Sequence, residues 1–294
     1  MSIILGVFEE GLVYAIMALG VYITYKILDF PDLSVDGTFP LGGAVTVTLI
    51  LAGVNPLTTL FIAFAAGALA GCVTGIIHVK LKVRDLLSGI IVMTALYSVN
   101  LRVAGKANVP LFNNDSIFEN SLINSIFPSG APAWSVVVIL LIIVLAVKFL
   151  LDQYLKTRSG YLLRAVGDNE TLVTSLAKDK GMVKIIGLAI ANGLAALAGS
   201  VYCQQKGFFE ISMGTGTIVI GLANVIIGTK LFKSAGFVKS TTAVIIGSII
   251  YKACVSFAIY LGLEASDLKL VTSVLFLGIL VLSNGKGKKV KSHA

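Results

Sequence analysis

The chain has 294 residues, of which 56% are apolar and only 13% are charged, and its mean hydropathy is +0.95. Soluble domains have roughly 25% charged residues, so this composition excludes an ordinary soluble protein and indicates lipid as the main solvent. The formal net charge of +8 comes from short basic clusters at the ends of apolar runs. This distribution is typical of membrane topology and not of nucleic-acid binding.

Apolar runs follow one another along almost the whole chain. A bilayer core about 30 Å thick needs about 20 apolar residues in helical conformation. The runs predict nine membrane segments, at residues 3–28, 38–53, 56–79, 86–104, 133–151, 183–203, 214–229, 238–262 and 268–283. The second and seventh are short for a full crossing. We therefore predict a single all-α polytopic membrane domain over residues 1–294.

The distribution of basic residues predicts the topology. Four clusters lie at 80–84, 148–184, 230–239 and 286–291, and two predicted segments separate each cluster from the next. All four can therefore lie on one side of the membrane, which the positive-inside rule identifies as the cytoplasm. Counting back three segments from Lys80, we expect the N-terminus outside the cell and the C-terminus in the cytoplasm.

Two polar breaks interrupt the apolar segments in a similar way. Residues 30–37 read FPDLSVDG, and residues 208–214 read FFEISMG. Aligned without gaps, each has a phenylalanine, an acidic residue two positions later, then an aliphatic residue and a serine. In the predicted topology the first break turns at the inner side and the second at the outer side. We expect an inverted repeat with discontinuous helices, its halves covering about 3–104 and 183–283.

Two roles are open for the polar residues of these breaks. The segments that follow each break begin with free backbone amides, which carboxylates and serine hydroxyls can cap; the candidates are Asp32, Asp36, Glu210, Ser34 and Ser212. The breaks can also line a solute path, because irregular backbone is tolerated at membrane depth beside a watery cavity. The candidates for this second role are Ser34, Thr38, Ser212 and Thr215.

Glycines recur every fourth residue in the third segment, at Gly67, Gly71 and Gly75. Small residues at this spacing let two helix backbones approach closely in lipid. The pattern predicts tight helix packing and no chemistry.

Motifs of several protein classes are absent from the sequence. There is no G-x-x-x-x-G-K-[ST] phosphate loop, no G-x-S-x-G nucleophile motif, and the two histidines are far apart. We therefore expect neither an enzyme nor a metal site. Asn192 and Lys252 stand out within the segments, with Asn100 near an outer end. Acids are missing from mid-segment positions, which disfavours an ion-coupled secondary carrier and leaves it as the alternative.

The polar segment 152–182 is long for a connection between helices. Leucines and valines form an apolar side over 161–174, so we expect a cytoplasmic helix that contacts another protein.

Two stretches in this half of the chain resemble the permeases of ATP-binding-cassette (ABC) importers in the branched-chain amino acid and ribose group. They are TRSGYLLRAVGDNE at 157–170 and IIGLAIANGLAALAGSV at 185–201. The family has a glycine, a basic residue and Ala-x-Gly-x-Asn, then a helix ending in Leu-Ala-Ala-x-Ala-Gly. Residues 11–45 resemble its first broken helix, and the chain is similar to a subgroup assigned to tryptophan and tyrosine uptake. It departs from the pattern at 171–181, where the family continues towards Ala-x-x-x-Gly-Ile.

The resemblance implies a type II-like importer permease in a bacterial cell membrane. Its implied partners are a second copy of itself, a cytoplasmic ABC ATPase dimer, an extracytoplasmic solute-binding protein and membrane lipids. The chain would bind no cofactor itself, since ATP would be used by the ATPase. An amino acid is the expected solute, with aromatic ones favoured by the subgroup, and a sugar or nucleoside is the alternative.

The resemblance also implies that segment 152–182 couples the permease to the ATPase. Charged residues of the segment would pair with the ATPase, and Leu163 and Val166 would anchor the helix. The expected coupling residues are Gly160, Leu163, Arg164, Val166, Gly167, Asp168, Asn169 and Glu170.

Overall fold

The described part of the chain is helical almost throughout. The computed structural model describes residues 2–112, 114–120, 134–168, 179–233 and 238–262, with positions 267, 270, 272–274, 276–278 and 281. The α-helices are α1 Ser2–Val21, α2 Val35–Leu51, α3 Pro56–Val79, α4 Asp85–Ala104, α5 Trp134–Tyr154, α6 Arg158–Asp168, α7 Lys180–Lys206, α8 Thr217–Leu231 and α9 Ser240–Tyr260. A π-helix, Tyr22–Ile27, continues α1, and a 3-10 helix, Ile211–Gly214, precedes α8. Two short strands, β1 Asn108–Pro110 and β2 Phe208–Glu210, pair in antiparallel fashion.

Seven helical stretches of the described residues are long and apolar enough to cross a membrane, and α2 is a shorter apolar helix. These eight coincide with the first eight predicted segments to within a few residues at most ends. The prediction of an all-α polytopic membrane protein is therefore confirmed. The ninth segment, 268–283, falls mostly outside the described residues, so the total of nine stays a prediction.

Helix α7 forms the centre of the bundle, with α1, α2 and α3 packed along it. The predicted glycine stripe of α3 is the contact surface: a Cβ atom on Gly71 would overlap the backbone of Leu188 in α7. The amide of Gln204, near the end of α7, donates to the carbonyl of Pro56 at the start of α3 at 3.2 Å. The two helices are therefore antiparallel and touch backbone to backbone.

Helices α1 and α7 also run in opposite directions. Glu10, early in α1, pairs with Lys206 at the end of α7 at 2.7 Å and with Lys252 of α9 at 2.8 Å. Leu28, just past the π-helix, lies against Gly187 near the start of α7. The packing is reciprocal, because α3 packs along α7 and α9 packs along α1. This arrangement is the one expected of an inverted repeat, and the repeat itself and the bounds of its two halves stay a prediction.

Basic residues gather at the end of the bundle where α3 and α5 end and where α7 and α9 begin, named here the basic end. Lys82, Arg84, Lys180 and Lys184 line one cavity there, and Asp152 of α5 pairs with Lys239 at 3.2 Å. Glu10 and its two lysines lie at the opposite end. Three of the four predicted basic clusters thus have described members at one end, and the cytoplasmic orientation of that end stays a prediction.

Candidate functional site

Two breaks in the helices lead from opposite ends of the bundle towards its interior. Break 1, residues 28–34, joins the π-helix to α2, and break 2, residues 207–216, joins α7 to α8. Break 1 begins at Leu28 near the basic end and reaches Asn192, in the middle of α7, at Ser34. Break 2 begins at the opposite end and returns along α2, where Gly214 lies against the backbone of Asp36. The half-helices α2 and α8 therefore start close together.

Asp36 joins the starts of the two half-helices. It lies in the first turn of α2, but its carboxylate accepts hydrogen bonds from the backbone amides of Gly216 at 2.9 Å and Ile218 at 2.7 Å. It also accepts the hydroxyl of Thr217 at 2.9 Å. Amides at a helix start have no partner within the helix and carry partial positive charge, so a carboxylate there is stabilising. The cap of α8 is thus supplied by the other half of the chain.

Break 1 ends in a buried polar cluster made by Asp32, Ser34, Thr38 and Asn192, each at most 1% exposed. Asn192 donates its amide to the Asp32 carboxylate at 2.7 Å, and its oxygen accepts the Thr38 hydroxyl at 2.9 Å. The Ser34 hydroxyl lies 2.6 Å from Asp32 and 3.0 Å from the Asn192 oxygen. Buried polar groups are costly unless they are hydrogen-bonded, so this cluster fixes break 1 to α7.

Break 2 repeats one bond of this cluster in an exposed setting. The Ser212 hydroxyl donates to the Glu210 carboxylate, as Ser34 does to Asp32. The two acid–serine pairs that the sequence aligns therefore make the same local hydrogen bond. Both Glu210 and Ser212 are exposed, and the backbone of this break is held instead by the pairing of β2 with β1.

A cleft of about 450 Å³ lies where α2, α4 and break 2 approach one another. Three of the predicted residues line it: Asp36, Ser212 and Thr215. Asp32, Ser34 and Thr38 contact Asn192 instead, and Glu210 contacts Ser212. The hydroxyls of Ser34 and Ser212 bond to the neighbouring acids, and neither caps the helix that follows its break.

The wall that α4 contributes to the cleft is not predicted by the sequence. It consists of Met93, Thr94, Tyr97 and Asn100. Asn100 stands out in the sequence as an amide within an apolar segment, and it donates to the carbonyl of Gly37 at 2.9 Å. Tyr97 and Met93 look like ordinary lipid-facing residues, so no local signal distinguishes them.

The predicted coupling segment contains the amphipathic helix α6. It begins at Arg158, before the predicted 161, and the hydroxyl of Thr157 accepts the Gly160 amide at 3.3 Å in its first turn. Gly160, Leu163 and Val166 are buried. Arg164, Gly167 and Asp168 line a cavity of about 440 Å³ together with Tyr22 and Lys26. Asn169 and Glu170 lie outside the described residues, as does the predicted continuation to 174.

The model of the family described as "Branched-chain amino acid transport system / permease component" matches residues 3–283 of the chain. The chain therefore belongs to this family of membrane permeases, in agreement with the resemblance inferred from residues 157–170 and 185–201. It is thus the permease component of a transport system, and not an enzyme. No solved structure gave a significant match.

Curated relatives cover nearly the whole chain. A tyrosine transport system permease protein of Clostridioides difficile (strain R20291) is 45% identical over 97% of this chain and 92% of its own length. An uncharacterized protein of Rickettsia prowazekii (strain Madrid E) is 32% identical over 95% and 97%, respectively. The ribose import permease protein of Escherichia coli (strain K12) is 28% identical over 96% and 85%. The chain is thus similar to permeases named for different solutes.

Proposed function

We propose that the chain is the permease subunit of an ATP-binding-cassette importer that moves an amino acid into the cytoplasm, aromatic amino acids being the first to test. The observation that carries this proposal is the meeting of two half-helices at Asp36, beside the cleft. Transporters commonly form solute sites from discontinuous helices that meet near the middle of the bilayer. The name of the 45% identical relative supports an aromatic amino acid as solute.

The chemistry of the cleft is compatible with such a solute. Tyr97, Met93 and Pro40 contribute apolar surface, and Ser212 and Thr215 contribute hydroxyls. Among its described lining residues the only ionisable groups are the Asp36 carboxylate and the Tyr97 phenol. Solute pockets typically combine apolar walls with a few polar groups that fix orientation. An amino acid with a large apolar side chain matches this combination.

Energy for import would come from a separate ATPase, because the sequence has no phosphate-binding loop. Helix α6 is the proposed contact: Leu163 and Val166 hold it against the bundle, and Arg164 and Asp168 line an open cavity beside it. The remaining proposed partners are a second permease copy, membrane lipids and an extracytoplasmic binding protein. In this arrangement the basic end faces the cytoplasm.

A sugar is the second candidate solute. The ribose import permease of E. coli is similar over 96% of this chain, and the hydroxyls of Thr94, Ser212 and Thr215 could bond sugar hydroxyls. The aromatic ring of Tyr97 is compatible with either solute.

Transport in proteoliposomes tests the proposal. The permease, co-purified with the ATPase and supplied with the binding protein of its system, should take up labelled tyrosine only when ATP is present. Leucine and ribose serve as comparison solutes under the same conditions. Uptake that persists after inactivation of the ATPase would show a secondary carrier, and uptake of ribose with no uptake of any amino acid would favour the sugar.

The coupling role of α6 has its own test. Reversing two charges with Asp168→Lys and Glu170→Lys should leave the permease inserted in the membrane but abolish ATP-driven uptake. Binding of the ATPase is compared with that of a matched control, in which two exposed acids at the opposite end are reversed, Asp115→Lys with Glu119→Lys. This control should keep the permease bound to its ATPase. Normal uptake by the Asp168/Glu170 variant would remove these residues from the proposed contact.

A further inference from the structure

Helix α6 touches the backbone of the chain directly before break 1. A Cβ atom on Gly167 would overlap the carbonyl oxygen of Ile27 and approach the Cα atom of Leu28 to 3.1 Å. Only a residue without a side chain permits this contact. The end of the proposed coupling helix therefore lies against the last residue of the π-helix and the first residue of break 1.

A second contact holds Leu28 against α7. The side chains of Leu163 and Leu28 both lie against Gly187 of α7, and both leucines are buried. Leu28 is thus enclosed by α6 and α7 together. Close-packed protein interiors transmit strain, so a displacement of α6 is expected to reach Leu28.

The π-helix Tyr22–Ile27 ends directly before Leu28. Its widened turn includes the hydrogen bond from the Leu28 amide to the Ile23 carbonyl, at 2.9 Å and five residues back. π-Helices are rare and are frequently found at functional sites. Because a π-turn contains one residue more than an α-turn, its conversion to α-geometry would shift the position of Leu28 relative to α1.

Contacts continue from Leu28 to the cleft. The far end of break 1 is fixed to Asn192 through Ser34, and two residues later Asp36 caps α8. A displacement of Leu28 therefore acts on the short segment 28–36, at whose other end Asp36 lies in α2 and caps α8.

We propose that Gly167 is a positioning residue, through which movement of α6 is passed to break 1 and from there to the starts of α2 and α8. This inference rests on the proposed function, because it requires an ATPase that moves α6. Gly167 touches no solute. Its role is to let α6 and the end of the π-helix move as one unit.

Hydrogen–deuterium exchange in the permease–ATPase complex tests this role. Exchange is followed at the amides of break 1, with and without a non-hydrolysable ATP analogue. We expect the nucleotide to change exchange there by about tenfold in the wild-type complex, within the usual range of coupling between distant sites. In Gly167→Ala we expect this nucleotide effect to be lost while the ATPase still binds and hydrolyses ATP.

Gly6→Ala is the matched control, because a Cβ atom at Gly6 of α1 would have nothing within 4 Å; it should keep the nucleotide effect. Leu163→Ala is a second test variant that removes packing at Leu28 without adding a clash, and we expect it to reduce the effect. A wild-type-like nucleotide effect in either Gly167→Ala or Leu163→Ala would overturn the inference. Failure of the wild-type permease to co-purify with any ATPase would instead overturn the proposed function.

Discussion

The two breaks share a local sequence pattern and one hydrogen bond, yet their surroundings differ. In break 1 the acid–serine pair Asp32–Ser34 is buried and bonded to Asn192 of α7. In break 2 the equivalent pair Glu210–Ser212 is exposed, and backbone pairing with β1 holds the segment. The same local motif therefore acts as an interior anchor in one half and as part of an open wall in the other.

This difference suggests a division of labour between the halves. Break 1 has no described residue in the wall of the cleft, whereas Ile211, Ser212 and Thr215 of break 2 all line it. Asp36 connects the buried break 1 with the exposed break 2, since it follows break 1 in sequence and caps the helix after break 2. Break 1 is thus suited to move as a packed unit with the helices around it, and break 2 is suited to present an exposed surface to the cleft.

The largest effect is expected where the two breaks are connected. Asp36→Ala leaves the amides of Gly216 and Ile218 without their cap, which should cost about 1–2 kcal/mol of stability. Because α8 then loses its position beside the cleft, we expect uptake to fall about a hundredfold, as misplacement of a site by about 1 Å can do. Uptake assays at equal membrane levels of protein measure this change.

Asp85→Ala is the control for Asp36→Ala. Asp85 also lies in the first turn of a helix and accepts a backbone amide, from Leu86 at 2.9 Å, but at the start of α4, and it is not among the residues that line the cleft. We expect a smaller loss of stability, because Asp85 accepts a single amide in an exposed hydrogen bond, and little change in uptake. Equal transport by the Asp36 and Asp85 variants would show that capping α8 from the other half has no special role.

The second-largest effect is expected at Asn192, which holds break 1 to α7. Asn192→Ala removes the buried partner of Asp32, Ser34 and Thr38, and should lower the free energy of unfolding by about 3 kcal/mol, since buried polar groups lose their bonds. Asn224→Ala is the comparison, because Asn224 is equally buried in α8 but, within the described part of the chain, its side chain bonds to Ser248 alone. Thermal unfolding in detergent measures both. A larger loss of stability for Asn224→Ala than for Asn192→Ala would mean that the contact between break 1 and α7 is not the stronger of the two.

A smaller but more direct comparison uses the two equivalent serines. Ser34→Ala removes a buried donor to Asp32 and should cost about 1–3 kcal/mol of stability. Ser212→Ala removes an exposed one and should stay within about 0.5 kcal/mol of wild type, as surface substitutions do, while raising the KM for uptake. If both variants lose the same stability, the proposed division between anchor and open wall is incorrect.

Local patterns account for much of what could be predicted from the sequence. Hydrophobic length locates the spans, the glycine spacing identifies the packing face of α3 but not its partner, and the acid–serine pattern locates both breaks. Contacts between distant residues have no such signal: nothing near Asp36 indicates that its carboxylate caps Gly216, 180 residues away. Asn192 could be recognised as unusual within an apolar helix, but its partners could not. The π-helix before break 1 and the Tyr97 side of the cleft depend on packing, so no periodicity reveals them.

The central claim is that the two breaks enter the bundle from opposite sides of the membrane. It is tested most directly by labelling Pro31→Cys in break 1 and Glu210→Cys in break 2, both exposed positions, with a membrane-impermeant maleimide. The background carries Cys254→Ala, because Cys254 is the exposed native cysteine among the described residues. In intact cells the cysteine at 210 should be labelled, and the cysteine at 31 should react only after the membrane is opened. Labelling of both from the same side would contradict the inverted arrangement of the two halves.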